Sequence, residues 1–386
     1  MTEFEVAVHS SISDIAADDW DRLAGDDFPF LRHAFLAAAE ATGCVSETTG
    51  WQPRHLILMD GERPRAAMPL YEKTHSWGEF VFDWAWADAY RRAGLDYYPK
   101  LVSAVPFTPA PSKRLLLADD DDVEAAAALV KGATLLASQS GCSSFHVLFP
   151  LESEVATLEK LGLKLRKDCQ FHWHNQGYGS FDDFLDTFSA RKRKKARRDR
   201  RHVAESGIEY RRLSGTELDD ANWAEVYRLI SITFMRRGSL PYFDLDFFRS
   251  ITASQPETVL VIAGFRGERM VAAAVFFRGP NALYGRYWGA DEYINALHFE
   301  TCYYQGIDYC IEEGIELFEP GTQGEHKVSR GFAPQSTWSA HWLAQPEFFD
   351  AIGDYLDEEA RHIDRYMSDV DERTPYKQSQ DAVERE

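Results

Sequence analysis

The sequence predicts a mixed α/β protein made of two halves with a similar rhythm. Three observations carry this. At 386 residues, and with about 150 residues per domain as a guide, the chain is long enough for two or three domains. Hydrophobic residues make up 45% and charged residues 27%. That balance belongs to an ordinary globular chain and excludes a fibrous or mostly disordered one. The same order of elements, β-α-α-β-β-β-α-β, can also be read twice along the chain. A hairpin-rich antiparallel sheet followed by a helix and a buried strand is a mixed architecture, not a doubly wound parallel sheet.

In the first half, residues 4–8 alternate as a strand. Ser11 and Asp14 have capping-box spacing ahead of a short helix, and 33–41 reads as a second helix. Strands over 55–59 and 65–71 flank Asp60-Gly61, a hairpin signal. Further strands are expected at 80–86, 101–105 and 114–117. An alanine-rich helix over 122–138 follows, then a buried strand at 144–149, a helix at 152–161 and a strand at 163–174.

The second half repeats the series. A strand at 208–213 leads to Thr216 and Asp219, again at capping-box spacing, for a helix running to about Arg237. A second helix at 244–253 precedes strands at 258–265, 270–277 and 282–288. A long helix over 296–313 is stopped by Gly314, and 315–319 is a buried strand. A last strand covers 338–344, and Pro346 opens a C-terminal helix with a polar tail after about Asp369. The Gln-Gly-Tyr-Gly-Ser stretch at 176–180 breaks the pattern, so the expected domains are 1–176 and 177–386.

Acidic residues number 62 and basic ones 42, for a net charge of −20. Such a chain repels nucleic acid and anionic lipid except where a local basic patch exists. The cysteines Cys44, Cys142, Cys169, Cys302 and Cys310 are scattered and form no CxxC pair, which fits buried thiols in a reducing compartment. No signal peptide or run long enough to span a membrane is visible, and the expected location is the cytoplasm. His172 and His174 form an isolated HxH and there is no HExxH, so no metal site is expected.

Three segments could carry chemistry. The run 191–202, RKRKKARRDRRH, holds nine Lys/Arg and one Asp, about +8 against −28 for the rest of the chain. Placed on the C-terminal part of a helix starting near Ser180, it is favoured by the helix dipole and reads as a solvated helix end. It reads equally as a clamp for a polyanion, with Arg191, Arg193, Lys194 and Arg197 as its contacts. The second segment, EPGTQGEHKVSRGFAP, follows the strand at 315–319 and gathers Gln323, Glu325, His326, Lys327 and Arg330 on a glycine-bearing loop. Glu325 or His326 could take a proton, and Lys327 and Arg330 could hold an anion. The third segment pairs YGRYWG, with Tyr287 and Trp288, with LHFETCYYQ, with Glu300 and Tyr304. At α-helical spacing His298, Cys302 and Gln305 share one face, Phe299, Tyr303 and Gly306 another, and Glu300 pairs with Tyr304. Glu300, a carboxylate in an aromatic stretch, is a reserve base. In the first half the proline-rich YYPKLVSAVPFTP carries Lys100.

Taken together, YPKLVSAVPFTP, FHWHN, RKRKKARRDRR, YGRYWG, LHFETCYYQGI and EPGTQGEHKVSRGF resemble the FemAB-like family of predicted N-acyltransferases, over about residues 10–345. The resemblance implies two tandem GNAT-like domains around a shared cleft, and transfer of an aminoacyl or acyl group to an amine. It implies a peptidoglycan precursor as the acceptor class and aminoacyl-tRNA or acyl-CoA as the donor. Lys100, Tyr287, Trp288, Tyr304, Gln323, Lys327 and Arg330 would then bind substrate. One feature departs from acetyl-CoA enzymes of this superfamily. The Arg/Gln-x-x-Gly-x-Gly/Ala turn that cradles a pyrophosphate at a helix N-terminus has no full match. VSRGFA and HNQGYG each lack the leading residue. Two other functions therefore stay open: an acyl-CoA-dependent N-acetyltransferase, and a degenerate pair of domains that binds RNA or a protein partner.

Overall fold

A computed structural model describes residues 6–322 and 324–377. The chain divides into two units. Unit 1 comprises Met1–Cys169, Tyr242–Ser254 and Ser336–Asp364. Unit 2 comprises Gln170–Pro241, Gln255–Gln335 and Arg365–Glu386.

Unit 1 holds a four-stranded antiparallel sheet in the order β1-β3-β4-β7, formed by β1 (Val6–His9), β3 (His55–Asp60), β4 (Arg63–Met68) and β7 (Leu116–Leu117). The Asp60-Gly61 hairpin joins β3 and β4 as its sequence requires. A second strand group places β2 (Trp51–Pro53) beside β5 (Tyr71–Lys73), then β6 (Lys100–Ser103) and β8 (Ser144–Leu148). The β6/β8 pair is parallel. Helices α1 (Ala17–Ala24), α2 (His33–Ala41), α4 (Val123–Gln139) and α5 (Glu152–Lys160) also belong to this unit. The alanine face of α4 packs Ala125, Leu129, Ala133 and Ala137 into a core with Leu56, Leu58, Met68 and Phe145.

One expected strand is absent. Residues 80–86 form a loop running into α3 (Trp84–Arg92). The alternating aromatics there do not share a sheet face. Trp86 and Tyr90, four apart on α3, are the buried pair, and they pack with Tyr97, Leu343, Ile352 and Leu356. Phe82 and Trp84 stay exposed.

Unit 2 is built on β10 (Glu209–Ser214), β11 (Val259–Arg266), β12 (Arg269–Arg278), β13 (Ala282–Ala290) and β14 (Leu317–Glu319) in that order. The last residues of β9 (Lys164–His174) pair with β14. The first four strands are antiparallel, whereas β13 and β14 are parallel. Helix α8 (Asp220–Met235) starts at Asp219, whose carboxylate accepts from the backbone N–H of Asn222. The functional cap is therefore one box further along than Thr216–Asp219.

The basic run also sits differently. Ser180 caps only a short helix, α6 (Phe181–Asp186). A separate helix, α7 (Ala190–Glu205), then begins with Arg191, Lys192 and Arg193 in its first turn and no acidic residue there. The cations thus occupy the start and middle of a helix, where the dipole opposes them. The explanation as a dipole-stabilised helix end is lost. Among the described residues no helix is long and apolar enough to cross a membrane. All five cysteines are free.

Candidate active site

The site is assembled in unit 2 from three pieces of local geometry. The first is a fork. Strands β13 and β14 pair only through Ala282↔Leu317, Leu283↔Phe318 and Tyr284↔Glu319, and β13 then continues to Ala290 paired with β12 alone. Parallel neighbours that diverge leave a crevice beyond their C-terminal ends, a common place for ligands. At the fork the β12/β13 register slips between Val275↔Tyr287 and Phe276↔Gly285, so Arg286 is an extra, bulged residue. Its guanidinium reaches Glu319 Oε1 at 3.0 Å and Oε2 at 3.3 Å, with both side chains buried.

The second piece is a helix with an unusual winding. After Leu297–Phe299 it takes five residues, Glu300–Tyr304, as a π-turn and resumes as α11 (Gln305–Glu313). Gly314 ends it in the left-handed region, with φ +68°. A π-turn brings residues i and i+5 together instead of i and i+4. Gln305 Nε2 accordingly donates to Glu300 Oε1 at 2.7 Å, and the His298 and Tyr303 rings lie 5.2 Å apart. This corrects the faces expected from regular α spacing: Gln305 belongs with Glu300, and His298 with Tyr303. All five π-turn residues are buried. Burial pushes the Glu300 carboxyl up, with Arg200 pulling the other way.

The third piece is the loop after β14. Residues Glu325–Arg330 form a 3-10 turn. His326 is exposed, and its Nε2 lies 2.9 Å from Tyr303 Oη. Partial burial and the charges of Arg330 and Lys327 hold the imidazole below its ordinary pKa. The ring leans on Gly324, whose φ is +116°. That φ favours glycine, and a Cβ there would stand 2.2 Å from His326 Cε1 and displace the ring. Lys327 is buried, donates to the Gly321 carbonyl and has its pKa lowered to about 7 by burial. Arg330 is buried with its guanidinium 3.3 Å above the Phe299 ring, and it donates to the His326 carbonyl at 2.5 Å. Glu325 is exposed, accepts from Tyr366 Oη at 3.1 Å and lies 3.5 Å from Arg373. Gln323 lies outside the described residues.

The remaining named residues fall into place around these pieces. Trp288 is half-buried, 5.2 Å from the His298 ring, which in turn lies 6.1 Å from His326. Tyr287 is buried against Phe234, and Tyr304 against Phe181. The partly open wall is therefore Trp288, His298, Phe299 and His326, with the charge of Arg237 acting on His298. On α7, Arg191 and Lys194 are exposed, while Arg193 and Arg197 face Asp186 at 3.1 Å and Asp182 at 2.9 Å. The same helix reaches the site directly. Arg200 contacts Glu300 at 3.2 Å, and Asp199 lies 4.0 Å from Arg330.

Lys100 is elsewhere, in unit 1. It is fully buried, and donates to Glu79 Oε2 and Ser76 Oγ at 2.8 Å each and to Asp83. Sequence reading did not place Arg200, His298, Tyr303 or the Arg286–Glu319 pair in this cluster. A search at i,i+5 spacing would have found the first link, Glu300 with Gln305. Among the described residues no group of three His, Cys, Asp or Glu could hold a metal.

The forked sheet, the π-wound helix and the turn that carries His326 come together in unit 2. The family model FemAB-like, described as peptidoglycan biosynthesis/recognition, matches residues 11–378. The chain belongs to that family. The fold is shared with FemX, at 11% identity and a TM-score of 0.53, covering 90% of this chain and 100% of that one. It is shared with the C-terminal domain of a lysylphosphatidylglycerol synthetase candidate from Agrobacterium fabrum, at 10% identity and a TM-score of 0.56, covering 90% and 97%. A conserved protein of unknown function from Bacteroides thetaiotaomicron is similar at 11% identity and a TM-score of 0.51, covering 88% and 100%. No curated protein sequence matches the chain.

Proposed function

We propose that unit 2 transfers an aminoacyl group from a tRNA to an amine of a peptidoglycan precursor, with His326 as the base. The observation that carries this is the double face of α7. Its exposed cations include Arg191, Lys194, Lys195, Arg198 and Arg201, and its opposite face touches Glu300 and Arg330. A polyanion held on the outer face is thereby held against the site, and it relieves the clash between those cations and the helix dipole.

A second observation favours tRNA over acyl-CoA. The turn between β13 and the π-wound helix, residues 291–296, is where a pyrophosphate would meet a helix N-terminus. It carries Asp291 and Glu292, which pair with Arg269 and Arg266. The turn, DEYINA, holds no glycine, so it lacks the Gly-x-Gly/Ala backbone that cradles a pyrophosphate. The five free thiols fit a reducing cytoplasm as the place of action.

The chemistry follows from the wall. In the tautomer with the proton on Nε2, His326 donates to Tyr303 Oη, which leaves Nδ1 to take the proton from the attacking amine. The N–C bond forms as the ester C–O bond breaks, and the imidazolium returns the proton to the departing ribose hydroxyl. Lys327 and Arg330 shape the loop that carries His326, and Trp288 with Phe299 supply the apolar side of the site.

The test sets charged tRNA against acetyl-CoA at low and moderate salt, with a variant in which Arg191, Lys194, Arg198 and Arg201 are all changed to Ala. Salt-sensitive tRNA binding that this variant loses supports the reading, and saturable acetyl-CoA binding without tRNA binding overturns it. Changing His326→Ala is expected to lower kcat by about 10²–10⁴-fold. Glu325→Ala is expected to stay within a few-fold of wild type. The reverse ranking would move the base to Glu325.

A further inference from the structure

We infer that α7 positions the π-turn of the site, and that Arg200 is the residue through which it does so. The inference rests on reading unit 2 as the transfer site. Arg200 projects from the inner face of α7, where Ala196, Asp199 and Val203 are buried. Its Nε lies 3.2 Å from Glu300 Oε1 and its Nη2 lies 2.9 Å from Asp308 Oδ2. The guanidinium sits 4.2 Å above the Phe181 ring, which fixes its plane.

Glu300 opens the π-turn, and Asp308 lies beyond it on α11. One guanidinium therefore spans the irregular segment. The two carboxylates face the same donor only because the winding between them contains one extra residue. A regular α-turn there would rotate Asp308 by about 100° relative to Glu300 and separate them. The same extra residue sets Tyr303 opposite His326 and Gln305 under Glu300. Arg200 thus grips the feature that gives the base its partner, without itself touching the reacting atoms. Glu300 Oε2 is buried with no partner, so the carboxylate depends on the contacts made through Oε1. Withdrawing Arg200 leaves a buried charge held by Gln305 alone, and the turn is expected to open to relieve it.

The experiment compares the full chain with Arg200→Lys, Arg200→Met and the double variant Arg200→Met/Glu300→Gln. Amide hydrogen exchange over 297–305 is measured alongside aminoacyl-transfer kinetics. Arg200→Met is expected to speed exchange in that segment at least tenfold, with β10–β12 changed less than twofold. It is expected to lower kcat at least tenfold and leave the acceptor KM within twofold. Arg200→Lys recovers part of both. Adding Glu300→Gln to Arg200→Met restores protection, because the stranded charge is gone. Unchanged exchange at 297–305 in Arg200→Met, or a double variant less protected than the single one, overturns the inference. If the wild-type chain transfers no aminoacyl group, the donor reading falls while the exchange comparison still decides the role of Arg200.

Discussion

Two parallel strand pairs, one in each unit, meet different fates. In unit 1, β6 and β8 pair through Leu101↔Phe145, Val102↔His146 and Ser103↔Val147. The chain leaving β6 then turns back on the end of β8. Ser112 N–H donates to the Phe149 carbonyl at 3.1 Å, and Arg114 Nε to the Leu148 carbonyl at 2.7 Å. Arg114 is fully buried and spends its other N–H groups on the carbonyls of Ala110, Ser112 and Lys113. In unit 2, the chain beyond Tyr284↔Glu319 passes through Pro320 and Gly321, which lie against Gly285. The loop after β14 instead presents His326, and the helix after β13 presents His298 and Tyr303. The comparison teaches that two parallel strand pairs can be followed by different connections, one closed over by a buried arginine and the other leading to a turn that carries a histidine.

The sharpest way to break this contrast is to remove a buried cation from unit 1. In unit 1, Lys100→Met removes the shared partner of Glu79 and Asp83, two carboxylates buried with it. Breaking a buried ion pair by removing one member costs about 3–5 kcal/mol. Urea denaturation should show that loss, and the folded fraction should retain its transfer rate. A Lys100→Met protein of unchanged stability but lost activity would make unit 1 a working site.

A smaller effect separates the units by pH. Lys327 in unit 2 and Lys73 in unit 1 both have their pKa lowered from 10.5 to about 7 by burial. Between pH 7 and 10.5 the unfolded chain binds more protons at these lysines than the folded one, so their contribution makes stability rise with pH across that window. Below pH 7 the cost of charging them is fully present. Replacing either by Met should flatten the rise between pH 7 and 10, as seen in melts at successive pH values. Lys327→Met should also alter the pH–rate profile, and Lys73→Met should not.

The smallest effect belongs to the contacts between α6 and α7. Arg197–Asp182 is a solvent-exposed pair, and such pairs contribute about 0–1 kcal/mol. Asp182→Asn should leave the melting temperature within measurement error while tightening tRNA binding at low salt, because a competing carboxylate is removed.

Much of this architecture could be read from the chain. Helix α2 is a contiguous apolar stretch with the bounds expected of it, and β10–β13 alternate between turn residues as hairpins require. The region 80–86 misled because four aromatics at even spacing imitate a strand, while their burial follows a helix that begins only at Trp84. The basic run was visible, but its place at the start of α7 depended on three residues, Thr187–Ser189, that separate it from α6. The loop with His326, Lys327 and Arg330 stood out by composition. Its partner Tyr303 did not, because the link depends on a winding that sequence periodicity cannot show. Lys100 looked like a free anchor because Glu79 and Asp83, more than fifteen positions away, reach it only after folding.

The π-turn also has a consequence for chain length. A hydrogen-bond step of i to i+5 is what a helix adopts when it accommodates one residue more than regular winding allows. The helix therefore carries a spare residue within Glu300–Tyr304, and a single deletion there could be absorbed by local rewinding, with α11 and β14 keeping their places. Such a shortened chain should still fold. It would lose the alignment of Tyr303 with His326, which makes one codon the difference between a scaffold and a catalyst.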